Sequence, residues 1–234
     1  GHVRNSIFGD SLARLLKLSG REVETQYYVN DMGRQIAIIV YGITEMGLKI
    51  EDQDGEKIDE KIGKLYFLAN KEVDENDDAN ERVSELIQKY EKGDDEELNK
   101  VFENVVESCV SGIKDTLQRI NINHDDFVWE GNFIRNGDVD KLVSYFEKEG
   151  FVSHEDVDYI DLTFYNIEKE FVLRRSNGTS LYSTRDLAYH RFKATRGDLV
   201  LDILGSDHKL SSKQMKVIFE EILKETAPEV IFYE

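Results

Sequence analysis

Cysteine and proline are almost missing from this chain, and so are long apolar runs. A single cysteine, Cys109, in 234 residues excludes an intramolecular disulfide and any zinc cluster built from thiolates. Its spacing from Val105, Val106 and Ile113 places it among the apolar positions of a helix, the setting of a packing residue rather than a nucleophile. The one proline, Pro228, stands just past a predicted helix, where a stop is expected. No apolar stretch approaches membrane-spanning length and no N-terminal segment reads as a signal peptide, so the expected location is the cytoplasm, with no membrane partner. Internal repeats and low-complexity linkers are also missing. An apolar content of 40% is enough for a real core, in one elaborated domain or two small ones.

Positive charge is in deficit as well. A formal net charge of −18 argues at first against a nucleic-acid partner, because binding phosphates needs a basic surface. The distribution along the chain weakens that objection. Residues 1–50 hold 6 basic and 5 acidic side chains and residues 171–234 hold 10 and 9, so both ends are close to neutral. Residues 51–108 hold 8 and 20, and residues 109–170 hold 6 and 14. The acidity belongs to the middle of the chain, as in a solvated, highly charged insertion rather than a metal site.

What is present is ordered. Ile7, Phe8, Leu12, Leu15 and Leu16 predict a first helix closing at Gly20; residues 22–29 have the composition of a strand, and residues 33–45 of a helix. Residues 74–80 read as a polar acidic loop. Val83, Leu86, Ile87 and Tyr90 then share a helical face, and a long helix follows Asp95 with an apolar stripe from Leu98 to Ile120. Leu142, Tyr145 and Phe146 suggest a short helix. Residues 157–162 alternate like a strand, with 171–173 as the hairpin partner before the turn at Asn177 and Gly178. The close is a helix over 184–193, a buried strand over 199–204, a helix over 208–225 and a strand over 230–233. That β-α-β order is half of a nucleotide-binding fold.

Two places in this order carry chemistry. Tyr182 and Asp186, four residues apart at the start of a helix, offer an aromatic hydroxyl and a carboxylate that can clamp a planar cation such as a guanidinium. Gly1 and His2 precede the first helix, where unpaired backbone N–H groups favour an anion such as a triphosphate and an imidazole can donate to a phosphoryl oxygen.

Taken in order, Gly1 to Gly20, Tyr27 to Gln35, Arg174 to His190, and Gly205-Ser206-Asp207-His208 resemble the catalytic domain of the class I aminoacyl-tRNA synthetases, and the second and third blocks resemble the arginyl branch, of archaeal type. The resemblance covers essentially the whole chain. It implies an α/β, Rossmann-like catalytic domain split by a largely helical insertion, the connective peptide. Residues 1–50 would form the first part of the nucleotide-binding fold, 51–170 the acidic insertion that helps receive the acceptor end of tRNA, and 171–234 the second part with the arginine pocket. It implies a ligase that activates arginine with ATP, accompanied by Mg2+, and passes it to tRNA(Arg).

By the same resemblance His2 is the last histidine of the HIGH signature and the catalytic residue on the ATP phosphates, with Gly1 beside it. Tyr182 and Asp186 recognise arginine, Asp207 and His208 lie near the adenosine ribose, and Asn30, Asp31 and Gln35 stand near the active-site mouth. No residue set is expected to hold a resident metal. Plainer alternatives stay open: a first-turn carboxylate for Asp186, a half-buried strand-end aromatic for Tyr182, an ordinary helix residue for His208, helix capping for Asn30 or Asp31, and a surface or structural ion pair for Arg185. The motifs begin inside the HIGH signature, and the last residues, Ile231 to Glu234, come before the lysine-rich KMSKS-type loop; Lys209 to Lys213 only echoes that loop. The expectation is therefore a fragment, inactive on its own, and the rival reading is a noncatalytic arginine-binding module.

Overall fold

The structure, a computed structural model, describes residues 2–50 and 55–233, and of His2 the backbone only. The order of elements is α1 (His2–Leu18), β1 (Gln26–Val29), α2 (Arg34–Thr44), α3 (Ile58–Glu75), α4 (Asp77–Lys92), α5 (Glu96–Gln118), β2 (Asp126–Trp129), α6 (Gly131–Arg135), α7 (Asp138–Lys148), β3 (Val152–His154), β4 (Asp158–Ile160), β5 (Phe171–Arg174), α8 (Tyr182–Ala194), β6 (Leu201–Gly205), α9 (Lys209–Val217) and β7 (Glu229–Tyr233). The residues form two compact units, Gly1–Val23 with Asn132–Glu234, and Glu24–Gly131. These limits differ from the expected borders at 50/51 and 170/171, the first of which touches residues outside the described ones.

In the unit Glu24–Gly131, β1 and β2 pair in parallel, Gln26 opposite Asp126 through Val29 opposite Trp129. Val29, Val106 and Val110 form a buried cluster, with Tyr27, Ile36, Phe127 and Trp129 packed against it. Helix α2 explains why 24–50 belongs with the helices that follow. It is apolar nearly all round and buries every residue from Ala37 to Gly42, and its neighbours are α3, α4 and α5. Two glycines let helices approach closely. A Cβ on Gly42 would meet Ala69 Cβ at 2.9 Å, and one on Gly112 would meet Asp59 Cβ at 2.6 Å. Tyr90 of α4 stacks on Phe102 of α5 with ring centroids 4.0 Å apart.

Residues 74–80 are not a loop. Helix α3 runs to Glu75 and α4 starts at Asp77, with Asn76 alone between them. Asn76 Oδ1 accepts from the backbone N–H of Asp78 at 3.0 Å and of Ala79 at 3.4 Å. Asp77 and Asp78 fill the first turn. The polar, acidic composition that reads as a solvated connection is the chemistry of a capped helix N-terminus, where a side-chain oxygen satisfies orphan N–H groups and carboxylates meet the positive end of the dipole. Helix α3, whose buried face is Ile62, Leu65, Ala69 and Val73, is a further element that the sequence reading does not contain.

In the other unit, β3, β4 and β5 form an antiparallel sheet, with β4 and β5 paired as expected. β6 and β7 pair in parallel, from Leu201 opposite Glu229 to Gly205 opposite Tyr233. The chain between them is α9, which continues as a π-helical turn over Ile218–Leu223. Helix α1 lies against β6, where a Cβ added at Gly9 would stand 3.7 Å from the Ile203 side chain. Among the described residues no helix is long and apolar enough to cross a membrane.

Candidate active site

The start of α8 is fixed by the strand before it. After β5 the chain turns at Gly178, whose φ of 80° is a left-handed value open to glycine. Asn177 Oδ1 accepts from Thr179 N at 3.1 Å and Thr179 Oγ1 at 2.7 Å. Ser183 Oγ then donates to Val172 O at 2.9 Å, and Thr184 Oγ1 to Leu173 O at 2.8 Å. Two hydroxyls thus tie the first turn of α8 to the backbone of β5. The helix begins at Tyr182, two residues before the expected Thr184.

Tyr182 and Asp186 are one turn apart and so lie along one side of α8. Tyr182 is 60% exposed, whereas Asp186 is half-buried. Loss of water pushes the Asp186 carboxyl up to about 6; Asp202 adds to the rise, and Lys193, Arg185 and His208 oppose it. Among the described residues no donor hydrogen-bonds the carboxylate. A half-buried acid without a donor is an acceptor open to a partner.

Further along the same helix lies a polar cluster that sequence reasoning missed. Lys193 and His190 both reach Asp202 of β6. Lys193 Nζ pairs with Asp202 Oδ1, and His190 Nδ1 stands 3.2 Å from Asp202 Oδ2. Lys193 Nζ also lies 4.4 Å from the centre of the Tyr189 ring. Burial holds His190 down at about 3, so its imidazole is neutral, and burial also lowers Lys193 while Asp202 and Asp186 resist that shift. The available signal was the i, i+4, i+7 spacing of Asp186, His190 and Lys193.

At the C-terminal end of β6, Gly205 leads into a 3₁₀ turn, Ser206–His208. A side chain at 205 would run into Asp207 Oδ1. Asp207 and His208 are exposed there, with Nε2 and Oδ2 3.7 Å apart. The end of a parallel strand is where open α/β sheets bind ligands.

The other expected positions diverge. Asp31 does not line an opening. It is fully buried, accepting from the Tyr90 hydroxyl at 3.0 Å and the Gly131 N–H at 2.7 Å. A carboxylate with both oxygens engaged inside the protein is a structural anchor. Asn30 and Gln35 are exposed. Neither Asn30 nor Asp31 caps α2, whose N-cap is Gly33 without a side-chain bond. Gly1 and the His2 side chain lie outside the described residues. Arg185 is buried, not a surface residue. One cleft of about 410 Å3 lies at the end of α5 and another of about 280 Å3 is bordered by His190, Asp202 and α9. Neither is lined by Tyr182 or Asp186. Among the described residues no group of three or more His, Cys, Asp or Glu is placed to hold a metal ion.

These elements make a mixed helix and sheet fold, and comparison with known proteins gives its class. Residues 1–231 match the family model described as tRNA synthetases class I (R), catalytic domain. The arginine–tRNA ligase of Methanobrevibacter smithii is 73% identical over 234 residues, all of this chain and 41% of that protein. That of Methanothermobacter thermautotrophicus is 53% identical over the same share. The solved arginyl-tRNA synthetase of Plasmodium falciparum matches with a TM-score of 0.78 at 18% identity, over 99% of this chain and 39% of that one. The Thermus thermophilus arginyl-tRNA synthetase matches at 0.69 and 20% identity, over 99% and 45%. The chain belongs to the class I tRNA synthetases, in the arginine family, as part of the catalytic domain. It spans about 41% of the length of these curated relatives.

Proposed function

We propose that this chain carries the arginine pocket and part of the ATP site of a cytoplasmic arginyl-tRNA synthetase. The observation that supports it most directly is Asp186, a half-buried carboxylate with no hydrogen-bond donor among the described residues, one turn beyond the exposed ring of Tyr182. A guanidinium supplies what that carboxylate lacks: planar N–H donors and a permanent positive charge. Tyr182 covers one side of the ligand and offers its hydroxyl. The bound arginine presents its own carboxylate to ATP. An oxygen of that carboxylate attacks the α-phosphorus, the bond to the bridging oxygen breaks, and pyrophosphate leaves. A 3′-terminal hydroxyl of tRNA(Arg) then attacks the adenylate carbonyl and releases AMP.

Charge grows on phosphoryl oxygens in the first step, so fixed donors are the protein's main contribution. In this reading Gly1 and His2 serve the triphosphate, Asp207 accepts from the ribose hydroxyls, and His208 stands beside it. Asn30 and Gln35, both exposed, remain assigned to the mouth of the site. Mg2+ enters with the ATP phosphates. The acidic insertion, 51–170, is the connective peptide and takes part in receiving the tRNA acceptor end.

In the full-length protein, Asp186→Asn is expected to raise the arginine KM or lower kcat/KM for arginine by at least about 30-fold, since stranding one partner of a desolvated charge pair costs about 2–5 kcal/mol. The ATP KM should stay within about threefold. Steady-state ATP–pyrophosphate exchange with tRNA present measures both, and unchanged arginine kinetics would overturn the assignment.

A further inference from the structure

Side chains alternate across a strand, so Ile203 of β6 meets α1 while its neighbours Asp202 and Leu204 face the other way. Parallel pairing sets Val230 opposite Asp202 and Phe232 opposite Leu204, and these four side chains border the cleft of about 280 Å3 together with α9. The strand side of the cleft is mainly apolar, with Phe232 37% exposed. From α9 come Lys209, Ser212, Lys213 and Lys216, spaced i, i+3, i+4 and i+7 and so on one side of the helix, over about 10 Å of its length. Three lysines against one exposed carboxylate, Glu229, make the rim basic in a chain of net charge −18. Lys213 Nζ donates to Asn166 O at 3.3 Å and Lys216 Nζ stands 3.7 Å from Glu220, and an ammonium with three N–H groups can donate further. His190 and Asp202 border the same cleft. Asp202 Oδ1 is taken by Lys193, but Oδ2 and His190 Nδ1, buried 3.2 Å apart, have no hydrogen-bond partner among the described residues. Packing alone explains none of this: a gap between helix and sheet needs neither a row of ammonium groups nor an acceptor left over.

We propose that this cleft is a second ligand site, on the sheet face away from α1, for a nucleotide: its phosphate on the lysines, its base against Leu204 and Phe232, and an N–H of that base on Asp202 Oδ2. The site is separate from the arginine and ATP groups described above, since none of Tyr182, Asp186, Asp207 or His208 borders it. Ammonium groups answer phosphate oxygens with charge-assisted hydrogen bonds. The Phe232 ring and the aliphatic wall take a planar body. A carboxylate oxygen that lacks a donor selects a ligand that brings one; a fatty acyl chain would suit the wall and the lysines but leave Asp202 unmet. The volume of about 280 Å3 lies at the lower limit of small-ligand sites, about 300–1,000 Å3, which is room for one nucleotide. That nucleotide can be free or one residue of an RNA strand, for the chemistry is the same.

The test is calorimetric titration of AMP into the full-length protein with its active site already filled by a non-hydrolysable arginyl-adenylate analogue, so that only other sites respond. One further AMP should bind, and adenosine and inorganic phosphate, each keeping only part of the contacts, should bind at least about tenfold more weakly. Lys216→Glu sets a carboxylate among the phosphate donors and Ser212→Phe fills the cleft; each should weaken AMP by at least about tenfold, with the KM values for arginine and ATP unchanged. No further AMP bound, inorganic phosphate bound as well as AMP, or an AMP affinity unaltered in both variants overturns the proposal. A single-stranded ribotrinucleotide titrated alongside tells the two sources apart. Bound more tightly than AMP and weakened by the same substitutions, it makes the ligand part of an RNA; bound no more tightly, it leaves the free nucleotide. Because the active site is filled throughout, failure here is distinct from failure of the Asp186 reading.

Discussion

Asp31 in the unit 24–131 is a fully buried carboxylate and Asp186 in the unit 1–23 with 132–234 a half-buried one, and they differ in what receives them. Asp31 is met by two donors, a tyrosine hydroxyl from α4 and a backbone N–H at the start of α6, 59 and 100 residues away in sequence. Asp186 is met by none among the described residues and is governed by charges at a distance. The first arrangement closes a structure. The second leaves an acceptor open, the feature on which the proposed arginine site rests. Acidic residues in two recognisable motifs can therefore have different surroundings, and only their partners tell them apart.

The contrast breaks most sharply under truncation. Asp31→Ala strands the Tyr90 hydroxyl and the Gly131 N–H in a buried site, at about 1–3 kcal/mol for each, so urea unfolding should show a loss of about 2–6 kcal/mol. A loss below about 1 kcal/mol would mean that water or a shifted neighbour replaces the carboxylate.

Asp186→Asn should act with the opposite sign on stability. A carboxyl raised from 3.8 to about 6 in the folded protein favours folding relative to its ionised form below 3.8, and that contribution is lost as pH rises through 6. A shift of about two units is worth up to about 3 kcal/mol, reduced by the part of the side chain that still meets solvent. The variant should thus match the parent near pH 4 and exceed it in stability at pH 7. Equal stabilities at both values would remove the claim that Asp186 is strained by desolvation.

Two glycines test how tightly the helical unit is packed. Gly112→Ala places a methyl against Asp59 Cβ at 2.6 Å and should cost about 1–3 kcal/mol despite the better helix propensity of alanine. Gly63, on the exposed face of α3 with nothing within 4 Å, should respond the other way, Gly63→Ala gaining about 0.5–1 kcal/mol. Thermal or urea midpoints of the two variants, measured together, separate packing from propensity. Equal gains would show that the α3–α5 crossing yields easily.

Sequence alone determined whatever depends on neighbours within a few turns. The apolar stripe of α5, the parallel β6–α9–β7 order and the β4–β5 hairpin were legible because side-chain periodicity and turn residues are local signals. The placement of Tyr182 beside Asp186 was legible for the same reason. Family membership was also readable from the order of short motifs. Local composition misled where two causes look alike: residues 74–80 are polar because Asn76, Asp77 and Asp78 start a helix, not because the chain is loose. Tertiary structure decided which polar residues have partners. It gave Asp31 a tyrosine from α4, joined Lys193 and His190 to Asp202 across elements, and drew residues 24–50 into the helical unit. Burial and hydrogen bonding are set by residues distant in sequence, so the charge state of Asp186 emerges only when the chain has packed.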